Sequence, residues 1–149
     1  MKLMLLPICC LALAAMPAMK KIGIFSSHSD IGNPAIYGDA RFDKKTGEYF
    51  LSGGGYNIWF KRDEFHFLYN VLEGDFVLNA RMQMLGEGKE PHRKIGWMIR
   101  ESLDEDAGHI CAALHGDGSS VLQWRGEKGA SMRDPEDEIF SKNKHMELV

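Results

Sequence analysis

The chain has 149 residues, 44% of them hydrophobic and 26% charged, with a formal net charge of -3. That composition belongs to one ordinary folded domain, not to a disordered or fibrous chain. With a pI near 6.1 it lacks the basic stripe of nucleic-acid binders, so there is no electrostatic case for a nucleic-acid partner.

Met1-Lys2 precedes an almost wholly apolar stretch over residues 3–15, and then Met16-Pro17-Ala18 supplies small residues at a cleavage point. This is the layout of a secretory leader over residues 1–18, with the mature domain at 19–149 in the periplasm or outside the cell. The apolar stretch falls short of the roughly 20 residues a spanning helix needs, so no membrane span is expected once the leader is removed. Cys9 and Cys10 sit early and follow Pro7-Ile8, where a lipobox would carry small residues. Cys111 is then the only cysteine of the mature domain, which leaves no intramolecular disulfide to form.

From Tyr37 onward the chain reads as short strands separated by turn chemistry. Residues 40–43 and 48–52 flank Lys44-Lys45-Thr46-Gly47, a hairpin loop closed by glycine. Gly53-Gly54-Gly55 bends the chain before a strand over 56–60, and no helix start or Lys-Ser/Thr follows to make it a phosphate cradle. Residues 64–71 alternate, with Phe65, Phe67, Tyr69 and Val71 on one face and His66, Leu68 and Asn70 on the other. Residues 76–85 turn Phe76, Leu78, Ala80, Met82 and Met84 inward, after a turn at Glu73-Gly74-Asp75. Ile95, Trp97 and Ile99 then oppose Gly96, Met98 and Arg100, and strands over 110–115 and 121–125 follow. With no helix-spaced window, the fold class is all-β, a sandwich or barrel whose core holds Phe65, Phe67, Phe76, Leu78, Ile95, Trp97, Ile99, Leu114 and Trp124. Met146-Glu147-Leu148-Val149 reads as the opening of a further strand, so the sandwich is expected to be incomplete at its C-terminal end.

The run Pro91-His92-Arg93-Lys94-Ile95-Gly96-Trp97-Met98-Ile99-Arg100-Glu101-Ser102-Leu103-Asp104, with Leu114-His115-Gly116-Asp117-Gly118 and Leu122-Gln123-Trp124-Arg125, resembles bacterial concanavalin-A-like jelly-roll domains, whose members are largely of unknown function. Ser26-Ser27-His28-Ser29-Asp30, Gly54-Gly55-Tyr56-Asn57-Ile58-Trp59-Phe60, Arg62-Asp63-Glu64-Phe65-His66 and Met132-Arg133-Asp134-Pro135 extend the likeness over nearly the whole mature chain. It is similar to the N-terminal module of exported Bacteroidetes proteins of the TolB-like, biopolymer-transporter type. The resemblance implies a jelly-roll sandwich in the cell envelope and fixes no activity.

With the aromatic faces turned inward, His66, Arg100, His115, Gln123 and Arg125 share the opposite faces and form the expected ligand site, since such groups suit sugar hydroxyls or carboxylates. The competing reading makes each a solvated strand residue or a cross-strand pair. Trp59, beside the glycine bend, is the tryptophan expected to be open to a sugar ring, whereas Trp97 and Trp124 fall on the core faces. Glu101, Asp104, Glu105 and Asp106 crowd one loop and Asp134, Glu136, Asp137 and Glu138 another. Neither loop has the EF-hand pattern or a glucanase-like Glu-x-Asp-x-x-Glu, so calcium stays open as the one cofactor and none is required. His92, His109 and His115 lack a close ligand pair, so no metal is expected on them, and no Ser-His-Asp order or nucleophile elbow occurs. The expected function is an exported, non-catalytic module that binds glycan, another polar extracellular ligand or an envelope protein. The alternatives are a glycoside hydrolase drawing its carboxylates from Glu64, Glu101 or Asp117, and a structural or protein-interaction module of an envelope assembly.

Overall fold

The computed structural model describes residues 21–134, 139–140 and 145–148. The leader expected over 1–18, the acidic residues Glu136, Asp137 and Glu138, and Val149 lie outside the described residues. Among the described residues the chain is all-β, with no helix. In chain order the strands are β1 (Ser27–Ile31), β2 (Asp39–Asp43), β3 (Glu48–Ser52), β4 (Phe65–Tyr69), β5 (Ala80–Gln83), β6 (Lys94–Arg100), β7 (His109–His115), β8 (Ser119–Arg125), β9 (Ile139–Phe140) and β10 (His145–Leu148). They form small antiparallel sheets: β1 with β4, β2 with β3, β5 with β10, and a four-stranded sheet β6-β7-β8-β9.

Local chemistry explains the hairpins. Gly47 takes φ 76, a left-handed conformation that costs glycine little, and its N–H reaches the Asp43 carbonyl at 2.8 Å. The Asp43 side chain caps Lys45 N–H, also at 2.8 Å, so the turn between β2 and β3 closes where the sequence placed it. Residues 56–60 differ from expectation. They form a folded-back loop in which Ile58 bridges to Asp63, because backbone groups here bond to side chains and turns instead of to a ladder. The strand expected over 76–85 shortens to β5, and Phe76 is 43% exposed.

The four-stranded sheet carries two unlike faces. Its register aligns Ile99, Ile110 and Trp124 on one face, with Trp97, Ala112 and Leu122 in the next row. The other face stacks the rows Arg100-His109-Arg125, Met98-Cys111-Gln123 and Gly96-Ala113-Val121. Period-two alternation predicts this division but assigns most of the core to the wrong side; Leu114, paired with Ile95 on the apolar face, is the buried exception. Ile99, Ile110 and Leu122 are 49%, 42% and 44% exposed, whereas Cys111, Ala113 and Val121 form the buried cluster, with Met98 packed on it. Of the expected core, Leu114 is fully buried, Phe65, Phe67, Leu78, Ile95, Trp97 and Trp124 are half-buried, and Phe76 and Ile99 are exposed. The reversal has a physical cause: the loop before β4 lies over the polar face and brings its own counter-charge.

Val121→Ala, in the cluster of the covered face, should therefore destabilise the fold by about 1–3 kcal/mol, whereas Ile99→Ser should change stability by roughly half a kcal/mol or less. Urea unfolding of the two variants separates the faces; equal losses would place the core on the apolar side after all.

Candidate functional site

Three cross-strand neighbours, Arg100, His109 and Arg125, stand side by side on the covered face. Asp63 sits against them with no solvent exposure. Arg125 grips its carboxylate in a fork, Nη1 to Oδ2 at 2.9 Å and Nη2 to Oδ1 at 2.8 Å. The remaining Arg125 donors go to the carbonyls of Ala130 (3.0 Å), Ala107 (3.0 Å) and Phe60 (3.1 Å). Every one of the five guanidinium N–H groups thus has an acceptor. Arg100 approaches Asp63 Oδ2 at 3.4 Å and donates to the carbonyls of Ser102 (2.6 Å) and Asp104 (2.5 Å). Burial, reinforced by the two neighbouring guanidinium charges, pushes the His109 pKa down against the pull of Asp63. A neutral His109 suits a cluster that already holds two cations for one anion.

This network fixes the loop over residues 53–63. Asp63 N–H donates to the Glu105 carbonyl at 2.7 Å, Glu64 N–H to Asn57 O at 2.9 Å, and Tyr56 N–H to the Glu64 carboxylate at 3.1 Å. Lys94 Nζ holds Asn57 Oδ1 at 3.1 Å. Gly55 is required by proximity: a Cβ there would lie 1.9 Å from the Glu64 carbonyl oxygen. On the outside of this anchored loop Tyr56 and Phe60 are 72% and 52% exposed. Their rings stack with centroids 6.1 Å apart and planes 21° from parallel, and Trp59 is half-buried beside them.

Of the residues expected to bind ligand, Arg100, His115, Gln123 and Arg125 do share one face, but it is the covered one. Arg125, His115 and Gln123 are buried, and the Arg100 side chain is 2% exposed. His66 lies apart, on β4. Its Nδ1 meets Asp30 Oδ1 at 2.9 Å and its Nε2 meets His28 Nδ1 at 2.9 Å. The ring fits because Gly38 and Gly53 leave room where a Cβ would come within 2.3 and 2.9 Å of it. Burial works to raise the Asp30 pKa, yet the His66 and Gly38 hydrogen bonds and the two imidazoles bring it below its ordinary value. No nucleophilic side chain hydrogen-bonds to this chain of groups among the described residues. Burial also pushes the Cys111 thiol up to about 11, away from the thiolate form in which cysteine reacts.

The carboxylates of the hydrolase alternative occupy separate settings. Glu64 pairs with Arg62 at 2.8 Å, Asp117 accepts from Ser119, and Glu101 lies against Gly108. Glu101 borders a shallow depression of about 410 Å³ lined by Ile99, Ile110 and Trp124 on the open sheet face. Tyr56 and Phe60 were missed as site residues because a strand over 56–60 would have put both rings on one face, where they read as packing. The glycine run before them and the charged Lys61-Arg62-Asp63 after them were the available signal. No protein-family model, curated protein or solved structure matches the chain.

Asp63→Asn should destabilise by about 3–5 kcal/mol, because two buried guanidinium groups lose their counter-charge. Circular dichroism melts check this, and a loss under about 1 kcal/mol would show the network to be dispensable. A second expectation concerns pH. Burial first, then the Lys94 charge, lowers the His115 pKa from 6.5 to about 4. Between these values the unfolded chain binds a proton that the folded chain does not. Stability should therefore be intact at neutral pH and decline as pH falls from 6.5 toward 4. Urea midpoints across that window should fall less in His115→Gln than in the parent chain.

Proposed function

We propose that this chain is an exported, non-catalytic jelly-roll module that binds glycan through the aromatic surface of its 53–63 loop. The observation that carries the reading is the exposed, stacked Tyr56–Phe60 pair on a loop whose base is locked into a buried ion pair. Sugar rings present apolar C–H faces, and aromatic side chains offer a large flat surface to them while polar edges stay wet. A loop already fixed by Asp63 loses little conformational freedom when a ligand arrives, which is the main advantage of preorganisation. Trp59 extends the aromatic surface, and the Arg62–Glu64 pair at its edge supplies a donor and an acceptor for hydroxyls. In this reading Arg100 and Arg125 serve the ligand from beneath, by holding the loop. The all-β antiparallel sheets support the sandwich part of this reading.

Glycan-array screening of the purified domain, followed by calorimetry on the best ligand, tests it. Tyr56→Ala and Phe60→Ala should each weaken binding by about tenfold, roughly 1.4 kcal/mol, with the melting temperature unchanged. Indifference of the bound glycan to both substitutions would remove the loop as its site. Release of reducing ends, abolished in Glu64→Gln, Glu101→Gln or Asp117→Asn, would instead establish a glycoside hydrolase.

A further inference from the structure

At the end of the four-stranded sheet away from the Arg100-His109-Arg125 row, residues 90–93 close against the turn between β7 and β8. Gly116 N–H donates to Arg93 O and Asp117 N–H to Pro91 O, both at 2.9 Å. Gly116 permits the approach, since a Cβ there would come within 2.7 Å of Arg93 and 2.9 Å of the Glu90 carbonyl. These contacts carry His92 to His115, ring centroids 5.5 Å apart and nearly perpendicular. The imidazole nitrogens of His92 and His115 and a carboxylate oxygen of Asp117 all lie within 4.8 Å of one another.

His115 is 4% exposed, and neither of its ring nitrogens has a hydrogen-bond partner. A buried imidazole without partners is costly, and native folds seldom leave one so without a reason. Asp117 is the reverse case: Oδ1 accepts from Ser119 N–H at 2.9 Å and from Ser119 Oγ at 2.7 Å. Those bonds orient the carboxylate, as outer-sphere partners do for metal-bound carboxylates.

We propose that His92, His115 and Asp117 form a binding site for a divalent transition metal of the zinc class, which clips the 90–93 loop to the β7–β8 turn. Two neutral imidazoles and one carboxylate are the borderline-soft donor set such a metal prefers. Tetrahedral zinc bonded at about 2.0–2.2 Å sets its ligand atoms roughly 3.4 Å apart. The exposed side chains of His92 and Asp117 can close that gap around the buried His115. Calcium does not fit, because it takes six or more oxygen ligands and the His92, His115 and Asp117 set supplies a single carboxylate. Lys94, whose ammonium donates to His92 O and Asn57 Oδ1, adds positive charge nearby and disfavours a purely electrostatic site. Three protein ligands leave a fourth position for water. His92 and His115 stand far apart in sequence, so no short ligand motif announces them.

Zinc chloride titrated into the full chain against a chromophoric chelator tests the proposal, with cobalt(II) absorption as a second readout. One metal ion per chain should bind, and His92→Ala and Asp117→Asn should each weaken it by at least about tenfold. Both replace exposed side chains, so melting curves of the metal-free variants can confirm that they fold, which the buried His115 does not guarantee. His28→Ala, in the separate Asp30-His66-His28 chain, should bind zinc as the parent does. Absence of stoichiometric zinc, or zinc retained in both site variants, or zinc lost in His28→Ala, would overturn the proposal.

Discussion

The fold turns on one carboxylate. Asp63 arrives from a loop and meets guanidinium groups presented by two strands of the main sheet, and the fork to Arg125 spans 62 positions of sequence. Burying such charges is expensive, and mutual attraction offsets that cost only where the remaining donors are also satisfied. Arg125 meets this condition, through carbonyls contributed by Phe60, Ala107 and Ala130. The pairing decides which face of the sheet is covered, where the small apolar cluster of Cys111, Ala113 and Val121 sits, and how the 53–63 loop is held. Its removal would leave the sheet a choice of sides.

A division of labour follows. The polar residues of β6, β7 and β8 work on the inside, where Arg100, Arg125 and His109 surround Asp63. On the outside, the loop that those residues anchor presents the exposed rings of Tyr56 and Phe60. This is the common arrangement in which a rigid scaffold positions a surface loop, except that here a buried ion pair holds the loop at its base. The Asp30-His66-His28 chain repeats the device on a smaller scale, joining β1 to β4 by hydrogen bonds between side chains.

Much of the strand order was legible because it is written locally. The β2–β3 hairpin follows from Lys44-Lys45-Thr46-Gly47, β4 from the alternation around Phe65 and Phe67, and β7 and β8 from the runs ending in His115 and Arg125. Period two also sorted Arg100, Gln123 and Arg125 onto one face. What alternation lacks is any statement of which face another segment will cover. Hydrophobicity favoured the Trp97 side, and nothing in the sequence Arg62-Asp63-Glu64 marks its middle residue as the wholly buried one. A long-range ion pair leaves no periodic trace. The same holds for His92 and His115, which only the backbone contacts at Gly116 bring together.

The five acceptors around Arg125 also bear on the order of folding. They come from segments on both sides of β7 and from beyond β8, so the guanidinium can be desolvated only after the β6-β7-β8 meander has formed and its flanking loops have closed. Closing the chain between Asp63 and Arg125 carries the entropy of a long loop, which is recovered only once the pair is made. The meander is thus the early, local part of the folding reaction, and the aromatic loop settles late. Opening of the loop would separate Asp63 from Arg125 without breaking any rung of the β6-β7-β8 ladder, so it would expose a charged cleft to water on a sheet that is still paired.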